Sequence, residues 1–529
     1  MALSELNSAI VRLAPRAEGQ DPTTLIETFE DTGTLFAQLS STAHQVVYGR
    51  RGTGKTHALR YLALTRLDAG DHAVYLDLRT IGSTDSLYMT GIAAPERAAR
   101  FFIDVMLALH EQVRGQTLQR RDAERISVDD ALAWLEVFAD SLYSLRIGSE
   151  EEHEKTMRAS ATQTARSDAA AAIGTDGVNA KLGMSDDRST ATEEETKVRA
   201  AGAVRHRMNF SDVSEAFRNM VAVLPGRRLW IVIDEWTVMP PDVQPYFADM
   251  VKRLLLPVAD VTVKIAAIEQ RATFLARTSP KEYIGIELGA DVVAGIDLDD
   301  FMVFGRSEVA ASRFMSALLH KHLRSELIAE GVKDVPGDSA EFVRLAFTQR
   351  DTFEELVRAA EGVPRDAIHV AGMAAATAGD NRIGVPDVKG AARKFYLSDK
   401  ERNVAADQKA EAFLVWAIEK VIGGRRARAF LVPQAVGRSS PLIAELYDAR
   451  VLHVLKKGVS DKDRLGVRFD AYQLDYGCYV HLVTTQATLG VLPDEQEGEY
   501  VEVPGDDYRA IRRAILDIEE FEKDWASRN

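Results

Sequence analysis

One cysteine, Cys478, stands among the 529 residues, which excludes an intrachain disulfide and argues against a thiolate metal cluster or a cysteine nucleophile as the basis of function. It falls in the alternating run VRFDAYQLDYGCYVHLV, where a buried thiol on a long strand is the expectation. The 11 histidines are scattered without a spacing such as H-E-x-x-H, so no zinc site is expected. Long apolar runs are missing too: none approaches the roughly 20 residues of a membrane span, and the opening MALSELNSAIVRLAPRAEGQ has no basic leader before an apolar core. A cytoplasmic protein with no membrane contact is expected. Positive charge is in deficit, with 65 Lys and Arg against 80 Asp and Glu and a formal net charge of −15. That argues against wholesale wrapping of nucleic acid.

What is present begins with length and hydrophobic content. A chain of 529 residues that is 46% hydrophobic can build two to four domains of roughly 100–200 residues each. The stretch VVYGRRGTGKTHALRYLA, residues 46–63, sets Gly49, Gly52, Thr53, Gly54, Lys55, Thr56 and His57 between a β-branched run and a helical one. Gly49, Gly54, Lys55 and Thr56 fit G-x-x-x-x-G-K-[ST], in which backbone N–H groups and a helix N-terminus surround phosphate oxygens. Lys55 is expected against the outer phosphates and the Thr56 hydroxyl on Mg²⁺. A nucleoside triphosphate, taken as ATP, is the expected ligand.

The run RRLWIVIDEWTVMP ends a buried strand on two carboxylates. In an open α/β sheet that end faces the ligand. Asp234 is expected to hold the metal and Glu235 to polarise the attacking water. VTVKIAAIEQ delivers Glu269 and Gln270 at the end of a further strand, and AVYLDLR and DVVAGIDL read as two more. Five strands with intervening helices imply a mostly parallel sheet covered on both faces. The composition changes abruptly at residues 148–206, where large apolar residues nearly vanish. This reads as an insertion that is flexible or ordered by a protein partner. Beyond GRSEVAASRFMSALLHKHLRSEL helical periodicity dominates to about Tyr396, and in AEGVPRDAIHVAG Gly362 and Pro364 place Arg365 in the first turn of a helix. A cation there opposes the helix dipole and asks for an anion.

The set GRRGTGKT, IVIDEW and GVPRDAIHVAG, in that order, resembles the origin recognition complex-like branch of the AAA+ ATPases over roughly residues 23–400. The resemblance implies an α/β protein: a P-loop AAA+ core on a mostly parallel five-stranded sheet, a helical lid, and a C-terminal winged-helix-like α+β domain. The corresponding divisions are an N-terminal tail (1–22), the core (23–305), the lid (306–400), the winged-helix-like domain (405–490) and an acidic C-terminal segment (491–529). Arg365 takes the place of the second sensor, which touches the γ-phosphate. The first sensor, usually a neutral polar residue, falls on Gln270 with Glu269 as its rival. Arg271 and Arg277 are in range to reach a neighbouring subunit's nucleotide, or are surface arginines.

Charge is uneven along the C-terminal part. Residues 425–470 hold ten Lys and Arg against five Asp and Glu, and residues 494–529 hold five against twelve. A basic island fits duplex DNA contacted by Arg438, Lys456, Lys457 and Arg464, and it also fits a solvated surface. Two functions follow. One is an ATP-binding and hydrolysing switch acting on DNA or a partner protein. The other is a homo-oligomerising signalling or antiviral-defence scaffold that hydrolyses ATP slowly.

Overall fold

The computed structural model describes residues 2–120, 128–143, 210–299, 308–423, 428–460, 466–488 and 515–528, save Pro15, Thr32, 83–86, Thr90, Pro280 and Lys281. The insertion at 148–206 therefore lies outside the described residues. The chain opens with α1 (Leu3–Arg12), α2 (Pro22–Thr28) and α3 (Leu35–Leu39) and enters β1 (Gln45–Tyr48). Then come α4 (Lys55–Asp68), β2 (His72–Asp77), α5 (Ala94–Gln119), α6 (Phe210–Val223), β3 (Leu229–Asp234), α7 (Gln244–Leu254) and β4 (Val261–Ala267). A short antiparallel hairpin, β5 (Leu275–Ser279) and β6 (Glu282–Gly285), precedes β7 (Val293–Asp297). β1 to β4 and β7 form one sheet in the order β2-β3-β4-β1-β7, every neighbour parallel. The fully buried strands LWIVID and VTVKIAA lie inside it, as continuous apolar runs in a two-sided parallel sheet should. This arrangement is the expected α/β core on a parallel five-stranded sheet. It brings the C-terminal ends of β1, β3 and β4 to one edge.

The lid consists of α8 (Glu308–Ala329), α9 (Ser339–Ala346), α10 (Arg350–Ala359), α11 (Pro364–Ala378) and α12 (Val385–Phe395). The expectation of an N-terminal tail is corrected here. Leu6, Ala9 and Ile10 of α1 are buried in the lid's apolar cluster, and Asn7 donates to the Gly379 and Asn381 carbonyls at 2.6 and 2.9 Å. An amphipathic helix needs a surface to cover, and α1 finds it at the opposite end of the sequence.

Behind the lid lie α13 (Gln408–Ile418), β8 (Ala429–Pro433), α14 (Gln434–Ser439), α15 (Pro441–Asp448), β9 (Leu452–Ser460), β10 (Arg468–Leu474) and α16 (Tyr476–Thr488). The three strands pair antiparallel in the order β8-β10-β9, a winged-helix-like α+β unit. The long strand expected through Cys478 ends at Leu474. Asp475 caps the helix instead, its Oδ1 accepting from the Cys478 N–H at 3.2 Å. Cys478 is buried as expected, but on α16, and burial pushes its thiol up to about 12. In the acidic C-terminal segment, α17 (Ile518–Arg528) rests on α13 through Phe521 against Phe413 and through Lys409–Glu522 at 2.6 Å.

Candidate functional site

At the end of β1 the chain must turn sharply into α4, and Gly49, Gly52 and Gly54 make the turn at φ +157°, +87° and +91°. The latter two are left-handed values that only glycine takes without strain. Thr53 is buried and closes the loop, its hydroxyl donating to the Arg50 carbonyl at 2.9 Å. Lys55 Nζ folds over the loop and donates to the Gly49 and Arg50 carbonyls at 2.7 and 2.9 Å. Burial pulls its pKa down, with Asp234 and Glu235 pulling the other way. His57 Nε2 donates to the Leu25 carbonyl at 2.8 Å and lies on the cavity wall.

β3 sets Asp234 beside this loop. The Thr56 hydroxyl donates to Asp234 Oδ2 at 2.7 Å, and the Tyr75 hydroxyl reaches the same oxygen from β2 at 2.6 Å. Thr56 and Asp234, expected as metal ligands from positions far apart in sequence, are therefore in contact. An all-oxygen pair of this kind suits a hard divalent cation such as Mg²⁺. Glu235 adopts a left-handed turn at φ +57°, half-buried, with Arg79 at 3.5 Å. Burial and then the neighbouring Asp234 raise its pKa above the ordinary value.

The lid closes directly on the phosphate loop. The Arg365 N–H donates to the Gly52 carbonyl at 3.2 Å, and a Cβ on Gly52 would come within 2.9 Å of Arg365 Cβ. The resulting cavity of about 530 Å³ runs from Arg16, Gln20 and Phe29 past the loop to His322 and Ile368 of the lid. Six basic residues line it (Arg16, Arg51, Lys55, Arg79, Arg271 and Arg365) against two acids, Glu30 and Glu235. In a chain of net charge −15, such a concentration of positive charge focuses a field suited to polyphosphate.

Of the strand-end candidates, Gln270 does not line the cavity; Ile268 and Arg271 on either side do. Glu269 is drawn away into an ion pair with Lys457 of β9. Arg271 lines its own chain's cavity and pairs with Asp448 of α15. Arg277 lies on β5. Lys457, expected on DNA, also pairs with Asp297 at 2.8 Å. These contacts tie Lys457 to the core. Arg464 lies outside the described residues, as does the side chain of Arg438. Sequence reading missed Tyr75 and Arg79, which sit in the second strand and just after it without any motif to mark them.

Residues 14–79 match the ORC-CDC6-like family, so the match covers the approach to β1, the phosphate loop, α4 and β2. Of the three motifs that carry the resemblance, the match includes GRRGTGKT and stops short of IVIDEW and GVPRDAIHVAG. Among solved structures, the chain is similar to the Aeropyrum pernix ORC1 protein in complex with DNA, at 13% identity over 89% of this chain and 97% of that one, with a TM-score of 0.31. It is also similar to Drosophila ORC bound to DNA, at 11% identity over 91% and 90%, with a TM-score of 0.28. No curated protein matches the chain.

Proposed function

We propose that the protein is an ATP-hydrolysing conformational switch whose lid and C-terminal domain respond to the nucleotide held at the phosphate loop. The observation that carries this reading is the convergence of Lys55, the Thr56–Asp234 pair, Glu235 and Arg365 on one cationic cavity between core and lid. Lys55 and Arg365 neutralise charge on the transferred phosphoryl group, as electrostatic catalysis of this reaction requires. Thr56 and Asp234 would hold Mg²⁺, which supplies further charge neutralisation when bound. Glu235, with its raised pKa, sits beside Asp234 where it can orient water and take its proton. Arg365 reports the phosphate to the lid because its own backbone is hydrogen-bonded to the loop. The output is duplex DNA through residues 425–470, on the moving part, or a protein partner at residues 148–206, in the core, in a homo-oligomer.

The test is turnover against binding. Glu235→Gln is expected to bind a fluorescent ATP analogue like the wild type while hydrolysis falls by about 10²–10⁴-fold. Undiminished hydrolysis removes Glu235 from the mechanism, and absence of nucleotide binding by the wild-type chain removes the switch. Duplex DNA titrated into the same proteins, with affinity falling steeply as salt rises, supports DNA as the output; no binding at low salt excludes it.

A further inference from the structure

Arg50, an unspecified position of the phosphate-loop motif, has a carbonyl that faces the site and a side chain that leaves it. The carbonyl accepts from Lys55 Nζ, while the guanidinium is 2% exposed. Its N–H and Nε donate to Asp299 at 2.9 and 2.7 Å, Nη2 donates to the Glu361 carbonyl of the lid at 3.2 Å, and Nη1 faces Nδ1 of His453 on β9. Arginine never offers a lone pair, so His453 Nδ1 is the acceptor and its proton sits on Nε2. Nε2 in turn donates to Asp475 Oδ2 at 3.3 Å.

From Asp475 the contacts continue to Lys400 Nζ at 2.6 Å and from Lys400 to Asp366 at 3.0 Å. Asp366 follows Arg365, whose N–H is bonded to Gly52, two residues from Arg50. The contacts therefore form a closed ring through phosphate loop, C-terminal domain and lid, and every side chain in it is buried. Glu361, His453 and Asp475 lie close enough together to suggest a cation site. Each is already engaged by a cationic side chain, Arg428, Arg50 and Lys400 respectively, so the protein's own side chains take the place of a bound cation.

We propose that Arg50 and His453 are positioning residues that transmit the state of the phosphate loop directly to the winged-helix-like domain, in parallel with the lid. This rests on the nucleotide-switch reading and adds its route. Any ligand that draws the Lys55 ammonium away from the Gly49 and Arg50 carbonyls alters the peptide from which the Arg50 side chain hangs. A planar, five-donor guanidinium held at three partners converts that local change into a displacement of β9, because it cannot satisfy one partner by abandoning the others without cost.

Amide hydrogen exchange of residues 452–460, with and without the non-hydrolysable analogue AMPPNP and Mg²⁺, tests this in the full chain. Binding is measured separately with a fluorescent nucleotide, and folding by thermal melting. Wild-type protein is expected to show at least a threefold nucleotide-dependent change in exchange across 452–460. His453→Leu is expected to keep nucleotide affinity within about threefold and lose most of that change. His453→Asn, whose Oδ1 can replace Nδ1 as acceptor for Arg50, is expected to retain more than half of it. A merely structural histidine would not sort these two variants by nucleotide response. Should either variant fail to melt cooperatively, Arg50→Lys, which keeps the charge and loses the fork, is read in its place. No binding by the wild type overturns the switch and this route together. Binding with an unchanged β9, or a full β9 response in His453→Leu or Arg50→Lys, overturns the route alone.

Discussion

Gly52 is the residue at which phosphate loop and lid meet, and its neighbour Gly54 provides an internal comparison. Both have left-handed φ, but a Cβ on Gly52 would come within 2.9 Å of Arg365 Cβ and 3.0 Å of Val363 Cγ1, whereas none lies within 4 Å of one on Gly54. Gly54→Ala should therefore cost backbone strain alone, about 1 kcal/mol. Gly52→Ala should add about 1–3 kcal/mol of overpacking against the lid. Equal midpoints in urea for the two variants would show that the lid does not rest on the loop. The same close approach explains why Arg365 was legible as a site residue: the motif around it specifies a helix start, and a helix start is local chemistry. Tyr75 and Arg79 were not legible, because what gives them meaning is Asp234 and Glu235, brought beside them by strand pairing about 160 residues away in sequence.

Among the elements, β4 poses the sharpest question, since VTVKIAA puts a lysine in a strand that is buried throughout. Lys264 Nζ donates to the Ser41 and Ala43 carbonyls at 2.7 and 2.9 Å and so ties the approach to β1 onto the sheet. Burial, reinforced by Arg66, still pushes its pKa down to about 7 from the ordinary 10.5. Between those values the unfolded chain binds the extra proton, so this lysine makes stability rise with pH by about 1.4 kcal/mol per unit; its contribution is complete above 10.5 and lost as pH falls toward 7. Urea unfolding of Lys264→Met between pH 7 and 9.5 is expected to show a slope shallower by about one proton, and an unchanged slope would mean that the ammonium is not desolvated.

The core strands were legible because parallel sheets buried on both faces write continuous apolar runs. The end of β10 was not. Tyr, Val and Leu after Asp475 read as strand by propensity, but Asp475 caps a helix there. Gly477 lets that helix press on α12, where a Cβ would sit 2.3 Å from the Ala392 carbonyl oxygen. Tertiary packing overrode the local preference. The hairpin β5–β6 left no mark strong enough to separate it from a connection.

For the whole molecule, the nature of the joints matters more than their number. Lid, α1 and C-terminal domain share one apolar cluster from Leu6 to Phe521, while the five-stranded core has two of its own. Between C-terminal domain and core run polar contacts: Arg50–His453, Tyr447–Asp299 at 3.1 Å, Arg271–Asp448 and Lys457 with Glu269 and Asp297. Lid and C-terminal domain should therefore unfold and move as one body. Ile10→Ala, which empties a site 1% exposed in α1, is expected to destabilise that body by about 2–5 kcal/mol. Amide exchange should rise in α11 and α12 and stay unchanged in β1, β3 and β4. Faster exchange confined to α1 would show that the N-terminal helix is dispensable to the lid.

The placement of α1 has a mechanical meaning. The polypeptide leaves the lid once on its way into β1 and returns after β7, so two covalent straps join the two sides of the cavity. A panel hung on two straps swings about the line between them and resists twisting, which a single linker would allow. Under the proposed switch, opening of the cavity is therefore expected about one axis, with the winged-helix-like domain carried along with that panel.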